Sequence, residues 1–247
     1  EVYKVTLAAG AHAFYERNSA GWTVTPSTTR YKSVGFLELI GRVTVDAMLD
    51  VIREESDAEV RERFGLREDE DIFASVWKSL RNRWAWLAIN LVTAFVASRV
   101  IGVFEGSIQK LVALAALMPI VAGIGGNSGN QTITMIVRAL ALDQISPSSA
   151  KRLLRKELGV ALVNGLIWGG VIGIVAWLLY KNLALGLVMT AAMTLNLLLA
   201  ACMGVLIPMS LLKFGRDPAM GSSVMITAIT DSGGFFIFLG LATLFLI

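Results

Sequence analysis

DPAMGSSVMITAITDSGGFFIFLGLATLFLI, residues 217–247, is an apolar segment of membrane length with one carboxylate stranded inside it. After Asp217 at its head, Asp231 is the only charged residue up to the end of the chain. A carboxylate near the bilayer centre costs about 2.5–3.5 kcal/mol on insertion scales, so it is kept where it faces a partner or water. No Lys or Arg lies near it in the same segment, and a bound cation is the natural counter-charge. At 1.5 Å per residue from Asp217, Asp231 is expected about 20 Å along the axis, near mid-membrane.

The rest of the 247-residue chain has the same character: 55% of it is hydrophobic and only 17% charged, and the charge is gathered into clusters. No charged residue lies between Lys110 and Arg138, between Glu157 and Lys181, or between Lys181 and Lys213. Each gap exceeds the roughly 20 apolar residues that a helix needs to cross the hydrocarbon core. A further span runs from about Trp84 to Phe104, broken only by Arg99. With 217–247 this predicts an all-α membrane protein of five transmembrane helices, counted below as the first to fifth spans.

The basic residues set the expected orientation. Lys78, Arg81 and Arg83 precede the first span; Lys151, Arg152, Arg155 and Lys156 lie between the second and third; Lys213 and Arg216 lie between the fourth and fifth. The alternate connections hold only Lys110 and Lys181, with Arg99 close by. The positive-inside rule then puts the N-terminus in the cytosol and the C-terminus outside a plasma or inner membrane. A net charge of +3 gives no reason to expect nucleic acid as a partner. Cys202, the one cysteine, lies inside the fourth span and reads as a packing residue. The chain begins at Glu1 without Met or a visible signal peptide, which suggests a piece of a longer protein.

The region before the spans is different. VYKVTLAA reads as a strand, and the run through GWTVTPSTTRYK shows no sustained periodicity. His12, the only histidine, is expected at a surface or loop position rather than on a metal. VGFLELIGRVTVDAMLDVIREE (34–55) suggests strand, turn at Gly41, short strand and then helix. Most of the acid follows, between Asp46 and Asp71, and Asp46, Asp50, Glu54 and Asp57 would align on one stripe of that helix. Interleaved with Arg53, Arg61, Arg63 and Arg67, this is either a solvated face or a low-affinity divalent-cation sensor. The expected organisation is a small cytosolic α/β remnant over 1–45, an acidic connecting helix and interfacial approach over 46–80, and the membrane domain over 81–247. Trp77, Trp84 and Trp86 suit an interfacial belt. Gly165, Gly169 and Gly173 at four-residue spacing predict close helix packing, and Pro119 and Pro208 predict kinks or breaks.

The second span holds MPIVAGIGGNSGNQTITM (118–135), an unusual sequence for a membrane. Asn127, Asn130, Gln131 and Thr134 fall at i, i+3, i+4 and i+7, one face of a helix. Lipid cannot satisfy such a face, which needs polar neighbours or water. The run is neither a P-loop nor a dinucleotide fingerprint, since no Gly-Lys-Ser/Thr ends it and no strand–helix unit surrounds it. A polar helix–helix contact built from small residues remains as the alternative. The fifth span supplies a complement: Ser223, Thr227 and Asp231 are spaced by four, with Thr230 and Gly234 beside them. Thr194 and Asn196 of the fourth span are expected to join the same polar interior.

These ligands are carboxylate, amide and hydroxyl oxygens, with no His cluster or Cys pair for zinc, copper or iron. Hard oxygen favours Mg²⁺, Ca²⁺ or Mn²⁺, and few charges among many neutral oxygens favour a largely hydrated Mg²⁺. One Asp per chain is thin for a divalent ion. Two chains about a two-fold axis would bring two Asp231 side chains together, so a homodimer is expected.

At these residues the chain resembles the MgtE family of magnesium channels and transporters. The resemblance rests on PIVAGIGGNSGNQT (119–132), Phe104-Glu105, DPAMGSS (217–223) and ITDSGG (229–234), and it covers about residues 84–247. GRVTVDAMLDVIREE (41–55) looks like the tail of a CBS domain entering a connecting helix. The resemblance implies a homodimer whose pore is lined by the second and fifth spans, with Asp231 as the pore aspartate. It also implies Mg²⁺ as the transported ion and, through Asp46, Asp50, Glu54 and Asp57, as a possible regulator. Two other readings stay open: a coupled divalent-cation exchanger, and a non-transporting membrane receptor or scaffold. An enzyme is not expected, since no nucleophile–base pair or closed metal triad is visible.

Overall fold

The computed structural model describes the backbone of residues 2–7, 11–18 and 21–26, and the backbone and side chains of 73, 75–141, 144–145, 149–218 and 221–247. The chain divides into two compact units, Glu1–Asp57 and Ala58–Ile247.

In the first unit, β1 (Val2–Leu7), β2 (Ala11–Asn18) and β3 (Gly21–Pro26) form an antiparallel sheet in chain order. Val2 pairs with Glu16 and Leu7 with Ala11; Ala13 pairs with Pro26 and Asn18 with Gly21. The β-branched and aromatic content of VYKVTL favours this state, and Pro26 ends an outer strand, where a missing donor is tolerated. GWTVTP is a strand although its surrounding run looked unpatterned. Its alternation of Trp22 and Val24 with Thr23 and Thr25 is too short to stand out against STTRYK. His12 lies on β2 opposite Thr6, not in a loop. The expected strands and helix of 34–57, with Asp46, Asp50, Glu54 and Asp57, lie outside the described residues.

The second unit is helical. Its elements are α1 (Val76–Val103), α2 (Glu105–Lys110), α3 (Ala113–Ala141), α4 (Ala150–Tyr180), α5 (Leu183–Lys213) and α6 (Ser222–Leu246). Of these, α1, α4, α5 and α6 are long and apolar enough to cross a membrane. The expected second span, α3, is not among them. Its 29 residues are long enough, but its glycines, asparagines and Gln131 dilute its apolar character. Such a helix is tolerated at membrane depth where protein covers it, and α3 packs against both α5 and α6.

The first helix starts at Val76, so the expected interfacial approach and first span are one element, with Trp77 and Trp84 exposed. It stops at Phe104, whose ring meets Phe236 of α6 edge-on at 5.8 Å between centroids. Beyond that corner, the Ser107 hydroxyl lies 2.7 Å from that of Thr243, tying α2 to α6. Pro119 and Pro208 sit inside α3 and α5, which continue through them.

The central element is α5, touching α3, α4 and α6, while α1 packs on α6. Lys181, with φ 53°, turns the chain between α4 and α5, and the Asn182 side chain accepts a hydrogen bond from the Leu185 N–H at 3.1 Å to cap α5. As expected, α4 and α5 pack closely through glycine: a Cβ added at Gly165 would lie 2.7 Å from Thr194 Cα, and one at Gly173 would lie 2.6 Å from the Gly186 carbonyl. The Thr190 hydroxyl is within 3.0 Å of the carbonyls of both Gly169 and Gly186.

Two apolar clusters fill the interior. The larger gathers Leu114, Leu117 and Val121 of α3, Leu185 and Met189 of α5, and Phe238 and Leu239 of α6. The smaller joins Ile133 and Val137 to Ile207 and Ile226. Between them α3 contributes 125–132, the glycine–asparagine run, and α6 contributes 230–234. The polar layer falls there.

Candidate functional site

The glycines of α3 decide how near its neighbours come. A Cβ at Gly125 would overlap the Asn196 amide of α5, and one at Gly129 would overlap Ile226 of α6. At Gly126 it would lie 3.7 Å from the Thr230 hydroxyl. Gly204 of α5 returns the approach: a Cβ there would be 2.9 Å from Thr132. On α6, Gly234 stands against Asn196 from the other side, with a built Cβ at 2.6 Å from Nδ2. By contrast, Gly123 meets nothing within 4 Å. The run is therefore a backbone contact surface on one side of α3.

That approach lets side chains bond across it. The Ser223 hydroxyl donates to Asn130 Oδ1 at 2.9 Å, joining the start of α6 to α3. The Asn130 Nδ2 donates to the Gly126 carbonyl at 3.0 Å. Thr227 donates to the Ser223 carbonyl at 2.9 Å, and Thr230 to that of Ile226 at 2.9 Å. In each threonine the proton is held by its own helix, and at the half-buried Thr227 this leaves the oxygen's lone pairs open. The face is rich in acceptors. A hydrated cation presents the protons of its water shell, so acceptors are what it needs.

Asp231 is half-buried on α6, one turn beyond Thr227. The helix begins at Ser222, after Gly221 at φ 74°, so Asp231 lies about 14 Å along it rather than the 20 Å counted from Asp217. Among the described residues, no hydrogen bond or ion pair engages its carboxylate.

The predicted residues divide into two groups. Ser223, Thr227 and Asp231 are half-buried, as is Asn130. Asn127, Gln131 and Thr134 lie on the exposed side of α3. Thr230 and Gly234 turn inward: Thr230 is 0% exposed beside Gly126, and Gly234 is buried against Asn196. Asn196 joins this polar interior, whereas Thr194 does not; it faces Gly165 of α4 and donates to the Thr190 carbonyl at 2.8 Å.

The Asn196 amide is 0% exposed, and its Nδ2 donates to the Val121 carbonyl at 2.9 Å. Its Oδ1 is buried with no hydrogen-bond partner among the described residues. An unsatisfied buried acceptor costs about 1–3 kcal/mol.

Sequence reasoning missed Glu157. It counted only as the flank of a span, yet its side chain is 4% exposed, inside α4. One oxygen pairs with Lys156 at 2.9 Å; the other lies 3.5 Å from the Thr132 hydroxyl, long for a hydrogen bond. The signal was present in the spacing. Glu157, Ala161, Gly165, Gly169 and Gly173 share one i+4 stripe, so a stripe that packs inward carries the glutamate with it. Among the described residues, no group of three or more His, Cys, Asp or Glu could hold a metal within one chain.

Comparison with known proteins gives the family. The family model MgtE, described as a divalent cation transporter, matches residues 118–241. The chain is 30% identical over 208 residues to the magnesium transporter MgtE of Bacillus subtilis, covering 84% of this chain and 46% of that protein. It is 33% identical over 215 residues to the magnesium transporter MgtE of Thermus thermophilus, with the same coverage of 84% and 46%. A third, the magnesium transporter MgtE of Enterococcus faecalis, is 32% identical over 208 residues, again with 84% and 46% covered. The chain spans about half the length of the curated relatives it matches.

Proposed function

We infer a function from one premise: the chain belongs to the MgtE family of divalent cation transporters. The family is one of transporters rather than enzymes. The proposal is that this chain conducts Mg²⁺ passively across a plasma or inner membrane. In it, α1, α3, α4, α5 and α6 are five spans, with the N-terminus cytosolic and the C-terminus outside. A cytosol-negative potential favours inward movement of a divalent ion by about 4.6 kcal/mol per 100 mV, so no coupled pump is needed.

The observation that carries the reading is the polar contact between α3 and α6 at Asn130–Ser223, with the half-buried Asp231 two turns further along α6. In a single chain Asn127 and Gln131 are exposed, and with α3 as a span their amides would stand at membrane depth. Lipid cannot meet their hydrogen-bonding needs, whereas a second copy across a water-filled path can. Thr134 lies on the same exposed side of α3 and would line that path with them. In such a homodimer two Asp231 carboxylates balance one Mg²⁺. The ion keeps most of its water, consistent with its reluctance to dehydrate. Asp231 supplies charge, while Asn130, Ser223 and Thr227 accept from the water shell. Thr230 and Gly234 hold α6 against its neighbours. On this reading Asp46, Asp50, Glu54 and Asp57 would offer a second, regulatory Mg²⁺ site on the cytosolic side, in a remnant of a CBS domain and connecting helix.

The test is Mg²⁺ flux into liposomes holding the purified chain, under an imposed potential with no other ion gradient. Flux driven by voltage alone supports a channel. Flux that requires a Na⁺ or H⁺ gradient would identify an exchanger. No flux under any gradient would leave the chain a receptor or scaffold and refute the proposal.

A further inference from the structure

Asn196 has a role to explain. It is fully buried where α3, α5 and α6 meet, in a place that helix packing alone would fill with an apolar side chain. Its amide reaches the Val121 carbonyl of α3 at 2.9 Å. It also occupies the space that Gly234 leaves on α6, where a Cβ would lie 2.6 Å from Nδ2 and 3.1 Å from Oδ1. Gly125 of α3 makes the matching space on the other side. One oxygen is left without a partner among the described residues. A buried polar group kept despite its desolvation is best attested as a device that fixes one registry over others.

What it would register is on the next turn. Residues three apart on a helix are about 60° apart around its axis, so Asp231 and Gly234 turn together. Thr230, one turn from Gly234 on the same side, rests near Gly126. A rotation of α6 that lifts Gly234 off Asn196 also turns Asp231 about the helix axis relative to Asn130 of α3.

We propose that Asn196 is a positioning residue for the ion path: by bonding the α3 backbone and seating in the Gly234 space of α6, it sets where Asp231 stands relative to Asn130. The inference rests on Asp231 as the ion-binding carboxylate. Asn196 itself does not touch the ion.

The experiment measures voltage-driven Mg²⁺ flux over a series of Mg²⁺ concentrations, with the full chain in liposomes, alongside thermal unfolding. The variants are Asn196→Leu, Gly234→Ala, Asn196→Ala with Gly234→Ala, and Asp231→Ala. Leu keeps the branched shape of Asn without its polar atoms, and thermal unfolding reports whether the larger side chain is accommodated. The half-saturating Mg²⁺ concentration is expected to rise about fivefold, within the range of coupling between touching residues. Gly234→Ala alone should cut flux; adding Asn196→Ala relieves the clash but should leave the half-saturating Mg²⁺ concentration raised, because the bond to the Val121 carbonyl is gone.

An unchanged half-saturation in Asn196→Leu, with Asp231→Ala inactive, overturns this inference and leaves the channel reading intact. Should Asn196→Leu fail to fold, the double variant decides: a raised half-saturation in folded protein supports positioning, and a wild-type half-saturation refutes it. Normal flux in Asp231→Ala removes the ion-path reading and this inference with it.

Discussion

Among the helix contacts built from glycine, two end differently. Between α4 and α5, Gly165, Gly169 and Gly173 admit Thr190 and Thr194, and both hydroxyls bond to nearby carbonyls. Between α3 and α6, Gly129 admits Ile226 just as closely and Gly126 meets Thr230 at ordinary contact distance, but polar side chains are left half-buried there, Asn130 on α3 and Thr227 and Asp231 on α6. Small residues at helical spacing therefore announce close approach in both places and chemistry in neither. The distinguishing feature is the polar capacity left over once the helices have met.

The comparison breaks most easily at Asp231. Asp231→Asn keeps the shape and removes the charge; Mg²⁺ flux is expected to fall about tenfold or more, the equivalent of at least about 1.4 kcal/mol. Retained flux would mean that neutral oxygens suffice and that the two contacts differ less than proposed. Next come the glycines. Gly129→Ala and Gly173→Ala should each destabilise the fold by about 1–3 kcal/mol through overpacking. Only Gly129→Ala should also reduce flux per folded molecule, measured after quantifying folded protein, while Gly123→Ala should change neither. Equal losses of specific flux would erase the distinction.

Glu157→Ala should destabilise by about 1–3 kcal/mol through a lost buried acceptor and an unfilled space, with Glu157→Gln milder because its amide oxygen still faces Thr132. Thermal unfolding of the two variants checks this. The smallest effects are single hydrogen bonds. Thr190→Val and Ser223→Ala should each cost about 0.5–1.5 kcal/mol. Flux per folded molecule should stay at wild type in Thr190→Val and drop measurably in Ser223→Ala.

Much of the membrane domain was legible because charge-free length and the basic clusters are strong, one-dimensional signals. The exception was α3, expected as the second span from its charge-free length, whose polar run of 118–135 leaves it without a stretch as apolar as those of the four helices able to cross a membrane. Asp231 and the face containing Asn130, Ser223 and Thr227 could be read from spacing. The inward turn of Thr230 and Gly234 could not, since a helical face has no direction until its neighbours are placed. Thr194 was assigned to the wrong neighbour for the same reason: it follows α4 and not the polar layer. Glu157 was hidden by its position at the edge of an apolar run, where a charge looks like a boundary. In the N-terminal unit, β3 was missed because six alternating residues are a weak signal beside an irregular run.

The most direct test of the central claim is voltage-driven Mg²⁺ uptake by liposomes holding the wild-type chain or Asp231→Ala, matched for folded protein. The proposed ion path predicts uptake under potential alone in the wild type and none above empty liposomes in the variant. Equal uptake by both would contradict it, because the ion would then cross the membrane without the Asp231 carboxylate.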